Sequence, residues 1–114
     1  MKTPDFKYML EEGWDKGDYT SPPAEQSMLD NLDALCASIP DDFTPIKSEP
    51  ISCCTEAWVT LYWLDEEEDT VNITVTPHDS YFFNVCVRGL ELSGACNDVE
   101  AVLGIVRTYM RTGG

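Results

Sequence analysis

Basic residues are scarce in this sequence. Seven Lys and Arg stand against 21 Asp and Glu in 114 positions, a formal charge of −14. A chain this acidic repels phosphate, which argues against direct binding to nucleic acid or to anionic membrane. Histidine is nearly missing: His78 is the single one, and its place in a Pro77-His78-Asp79-Ser80 turn points to a solvated side chain rather than a catalytic base. No apolar run approaches the ~18 residues of a spanning helix, and the opening MKTPDFKYMLEEG has none of signal-peptide length. The cysteines, Cys36, Cys53, Cys54, Cys86 and Cys96, are odd in number and form no CxxC pair. That pattern lacks the paired ligands of a zinc site and fits reduced, mostly buried thiols in a cytosolic protein. Gly89 and Gly94 are isolated and no GxxxxGK[ST] occurs, so a phosphate-cradling loop is absent.

What is present is enough to build a core: 43% of the residues are apolar and 11% aromatic, with three Trp. Residues 1–114 are expected to form one domain. Thr3 as cap, Pro4, Asp5, Phe6, Met9 and Leu10 predict a short first helix ending near Gly13. Ser21 and Pro22 open a second, running to about Ile39 with an apolar stripe of Met28, Leu32, Leu35, Cys36 and Ile39. Residues 40–55 carry three prolines and are expected to be irregular, with at most an edge strand. The period then becomes alternating. Residues 56–64 place Val59, Leu61 and Trp63 on one side and Trp58, Thr60 and Tyr62 on the other, both apolar enough for a covered strand or one showing aromatics to a partner. Residues 70–76 turn Val71, Ile73 and Val75 inward. Tyr81 to Val87 forms a third strand, bent at Gly89 before Leu90 and Leu92. A last helix starts near Asn97, with Glu100 completing a capping-box pattern and Val99, Val102, Leu103, Val106, Tyr109 and Met110 as its buried stripe. The expected fold is α+β, in the order α-α-β-β-β-α: a three-stranded antiparallel meander with a C-terminal helix and one or two N-terminal ones.

The charge is unevenly spread. Asp5 to Asp79 holds 18 acids and three bases, a balance of −15, while Ser80 to Gly114 holds three of each. Crowded carboxylates repel one another within the ~8 Å screening length and destabilise the compact state. Solubility needs a net charge of only about 2–8 in a small domain. The excess therefore points to a cationic partner, and the candidate contact residues are Asp30, Asp33, Asp41 and Asp42, the hairpin tip Asp65, Glu66, Glu67, Glu68 and Asp69, and the aromatics Trp58 and Tyr62. Replacing Asp65 through Asp69 by amides is expected to leave the fold intact while weakening binding.

No catalytic group and no cofactor is expected. The tip DEEEDT lacks the alternating ligands, central glycine and distant Glu of an EF-hand loop, so no dedicated metal site is expected either. Composition and the Asp30–Asp69 charge distribution resemble the small acidic anti-defence proteins of phages and mobile elements, the anti-CRISPR and anti-restriction types, several of which act as DNA mimics. The resemblance implies a non-catalytic inhibitor in the host cytoplasm, binding the basic cleft of a nucleic-acid-binding protein or complex. Two other readings stand beside it. One is an immunity protein that neutralises a cationic nuclease toxin. The other is an acidic structural or regulatory interaction domain, in which a homodimer is compatible with the aromatic faces.

Overall fold

The computed structural model describes residues 1–6, 23–53, 56–65 and 68–110. Among them the fold is α+β: helix α1 (Gln26–Ala37), a 3₁₀ turn (Asp41–Phe43), five strands and helix α2 (Val99–Tyr109). The strands are β1 (Lys47–Cys53), β2 (Glu56–Leu64), β3 (Thr70–Val75), β4 (Tyr81–Val87) and β5 (Leu90–Cys96). They form one antiparallel sheet in sequence order.

Alternation explains the layers. Val59, Leu61 and Trp63 of β2, Val71, Ile73 and Val75 of β3, and Tyr81 and Val85 of β4 are buried on one face. Helix α1 packs there against β2 and β3, and α2 against β3, β4 and β5. Met28, Leu29, Leu32, Leu35, Cys36 and Ile39 from the first helical segment, and Val102, Leu103, Val106 and Met110 from the last, complete the core. Each fully buried Leu, Ile or Val contributes about 1.5–3 kcal/mol of transfer free energy.

Among the described residues there are five strands where the sequence predicts three. Strand β1 is the edge strand that the prolines allow, with Pro50 abreast of Val59 and pairing on one side only. Strand β5 exists because Arg88 and Gly89 make a two-residue reversal rather than a bend. Both have positive φ, 50° and 83°, as a type I′ hairpin turn requires. A β-branched or bulky residue resists this region, and at Gly89 even Ala is strained; Gly89→Ala should cost about 1–2 kcal/mol, read as a lower Tm. Residues 3–6 are not helical, so the predicted start at Thr3 is corrected, and the remainder of that helix, 7–13, lies outside the described residues. Helix α1 begins at Gln26 with Glu25 in the cap position; Ser21 and Pro22 also lie outside. Helix α2 takes Asp98, not Asn97, as its N-cap residue and has no side-chain cap bond, so the capping box does not form.

Candidate functional site

The β2–β3 hairpin tip organises one end of the molecule. Asp65 closes the loop: its Oδ1 accepts from the Asp69 N–H at 3.0 Å, and its N–H donates to the Asp69 carbonyl at 3.1 Å. Glu68 is exposed and held at φ 64°, a left-handed conformation that costs a non-glycine residue roughly 1 kcal/mol. Glu68→Gly should therefore raise stability by about 0.5–1 kcal/mol, checked by denaturant midpoint.

Asp69 behaves differently from its neighbours. It is 5% exposed, accepts from the Arg88 N–H at 2.9 Å and lies 3.8 Å from Arg88 Nε. The predicted partner-facing acid is thus a structural one, holding the strained Arg88–Gly89 reversal against the neighbouring hairpin. Glu66 and Glu67 lie outside the described residues.

The 3₁₀ turn is seated beside this tip. Trp63 Nε1 donates to the Phe43 carbonyl at 2.9 Å, and the two rings are 6.2 Å apart. Asp41 and Asp42 are exposed on that turn. Helix α1 leads into it while crossing β2 and β3 on the same side of the sheet, and it carries Asp30 and Asp33 on its exposed surface. Being three residues apart, these two lie on one helical face. Asp41 and Asp42 are thus drawn toward Asp65 and Glu68 as an acidic ridge at the β2–β3 end. Asp30 and Asp33 lie further back along α1, whose Asn31 donates to the Thr76 and His78 carbonyls of the β3–β4 turn at the opposite end. Helix C-termini carry partial negative charge, and both helices end here: Thr108 and Tyr109 of α2 line a groove of about 120 Å³ with Asp65, Asp69, Val87 and Arg88. The α1 terminus is met by the Met1 ammonium, which donates to the Cys36 and Ile39 carbonyls and lies 3.7 Å from Asp41. Exposed Arg107 is the cation in the last turn of α2. Acidity is not confined to the ridge, for exposed Asp79, Asp98 and Glu100 lie at the other end.

Trp58 and Tyr62 are not brought to the ridge. They alternate with the buried residues of β2 and so lie on the sheet face opposite the helices, each half-buried. Trp58 packs against Phe82 with ring centroids 5.5 Å apart and donates from Nε1 to Glu56, which also meets His78. Phe82, not among the sequence-based candidates, is 39% exposed; it is found from the inward alternation of Tyr81 and Val85. The outward residues of β3 and β4, Thr70, Asn72, Thr74, Phe82, Asn84 and Cys86, carry no formal charge.

At the β1 margin Lys47 Nζ lies 2.9 Å from Glu49 and 4.7 Å above the Tyr62 ring. The Glu49 hydrogen bond and charge raise the Lys47 pKa. Burial first, then Glu49, raises that of Tyr62. Burial, with Asp79 and Asp98 behind it, raises Tyr81, and burial raises the Cys36 thiol. All four groups hold their protons more tightly in the folded chain. The stability linked to them is complete below their unfolded pKa values and is lost as pH rises through the folded ones. Unfolding free energy should therefore decline from about pH 9 upward, and Tyr81→Phe should flatten that decline in denaturant titrations at several pH values.

Comparison with family models, curated proteins and solved structures finds no match for the chain. No described helix is long and apolar enough to cross a membrane, and among the described residues no His, Cys, Asp and Glu are grouped to hold a metal ion.

Proposed function

We propose that this chain is a non-catalytic inhibitor whose acidic ridge occupies the basic nucleic-acid-binding cleft of a host defence protein or complex. The observation that supports the reading is that acids distant in sequence, Asp41 and Asp42 on one side and Asp65 and Glu68 on the other, are drawn to one end of the molecule by the Phe43–Trp63 contact, with exposed Asp30 and Asp33 extending the charge along α1. Charges placed in this way displace counterions from a cationic groove as a nucleic-acid backbone does, and they give fast, salt-sensitive association. The exposed members are free of core duties, whereas Asp69 secures the turn behind them.

The test is capture from a host lysate with the purified chain, followed by competition. A nucleic-acid-binding protein that is retained at low salt and released by added duplex DNA supports the proposal. Retention insensitive to both DNA and salt counts against it. An immunity role uses the same ridge on a cationic nuclease, and the identity of the captured protein separates the two.

A further inference from the structure

The two edges of the sheet are built differently. Strand β1 carries Pro50, Lys47 and Glu49, the residues that discourage another strand from joining an edge. Strand β5, LELSGAC, has no proline, no lysine and one charge, Glu91. It is paired with β4 on one side only. Leu90 and Leu92 on it are 52% and 40% exposed, although their cross-strand partners Val87 and Val85 belong to the apolar face. Such an edge offers unpaired backbone donors and acceptors next to uncovered apolar side chains.

We propose that β5 is a docking edge for a second copy of this chain, pairing antiparallel with its own counterpart about a two-fold axis at Ser93. This register uses all of Leu90–Cys96 in both copies. It sets Leu92 against Gly94 of the second copy, Leu90 against Cys96, and Glu91 against Ala95, so like charges never meet.

Gly94 is what makes the pairing fit. A Cβ there would lie 2.8 Å from Phe83 Cζ, so the ring occupies the space over the glycine. Leu92 of the second copy would complete that cross-strand row beside the Phe83 ring, an aromatic–aliphatic neighbour contact that stabilises sheets. Among the described residues, helices do not obstruct it. Helix α2 lies mainly over β4, and β4 in the two copies would be three strand spacings apart, about 14 Å. Packed helices approach to roughly 8–10 Å, which leaves room for the four leucines between them.

The antiparallel pairing keeps the two β2–β3 hairpin tips apart, while each tip comes to the Asp98 and Glu100 end of the other copy, so repulsion between chains of charge −14 opposes the pairing. The buried strip is about 24 Å long and roughly 600 Å² per copy, the low end for a specific interface, so association should depend on concentration in the micromolar range.

Sedimentation equilibrium from about 1 to 200 μM tests this, with the 12.8 kDa mass expected to double across the series. Added salt should leave dimerisation unchanged or strengthen it, because it screens repulsion. Leu92→Lys places a charge on an exposed site of the edge and should weaken association at least tenfold with unchanged circular dichroism. Ser93→Cys in a Cys86→Ser background should cross-link to a dimer under mild oxidation, where Cys86→Ser alone does not. A single monomeric mass throughout, an undiminished Leu92→Lys dimer, or no cross-link at position 93 would each overturn the proposal. So would a chain that stays monomeric while taking up a strand of another protein.

Discussion

Asp69→Ala should lower stability by about 2–4 kcal/mol, a drop in Tm of roughly 8–16 °C for a domain of this size. One carboxylate performs two tasks. It accepts the Arg88 backbone N–H at 2.9 Å and faces the guanidinium at 3.8 Å. Removing it leaves the N–H without its acceptor, a loss of about 1–3 kcal/mol. It also removes the support from a turn in which Arg88 has φ 50°, a further ~1 kcal/mol. The ion pair itself adds less than ~1 kcal/mol because Arg88 is largely solvated. Asp69→Asn keeps an acceptor oxygen and should lose about half as much. A thermal melt in which Asp69→Ala stays within 2 °C of the parent would show that the β4–β5 reversal stands without the neighbouring hairpin. The amide replacement of all of Asp65 through Asp69 is therefore not neutral for the fold, because Asp65 and Asp69 shape the tip.

A cleaner test of binding changes only exposed members of the ridge. Asp41→Asn, Asp42→Asn and Glu68→Gln together should weaken binding to the captured cationic protein by about 10- to 100-fold at low salt. The reasoning is Coulombic: each contact charge contributes up to about 1 kcal/mol when solvated, and 1.4 kcal/mol is tenfold in affinity. The loss should fall mainly on the association rate and fade above ~0.5 M salt, where screening removes the parent's advantage. Thermal stability should hold, since the three side chains are exposed and their mutual repulsion is relieved. Equal affinity of parent and variant at low salt would move the interface off this end.

The central strands were legible because their alternation survives intact. Glu56–Leu64 and Tyr81–Val87 fall on the predicted ranges, and Thr70–Val75 ends one residue short of it. Strand β5 was hidden by a single local ambiguity: a glycine after a strand can mark a bend or a reversal. The Val87-Arg88-Gly89-Leu90 spacing, two residues between alternating apolar runs, was the available signal. The prolines correctly limited Lys47–Cys53 to an edge. Among the candidate site residues, position in the chain could not separate Asp69 from four neighbouring carboxylates. Only the register that lays Thr70 beside Cys86 brings it under the Arg88 turn. The convergence of Asp41 and Asp42 on the tip was equally invisible, for it depends on Phe43 meeting Trp63. The alternation of β2 puts Trp58 and Tyr62 on one face, as the sequence predicts, but their separation from Asp41, Asp42 and Glu68 follows from which face the helices cover.

The most direct measurement is the equilibrium dissociation constant for the purified captured protein between about 50 and 500 mM salt, with and without duplex DNA. Polyanion mimicry requires log Kd to rise steeply and linearly with log salt and requires DNA to compete for the same site. A Kd that stays flat across the salt series, or that DNA leaves unchanged, contradicts it.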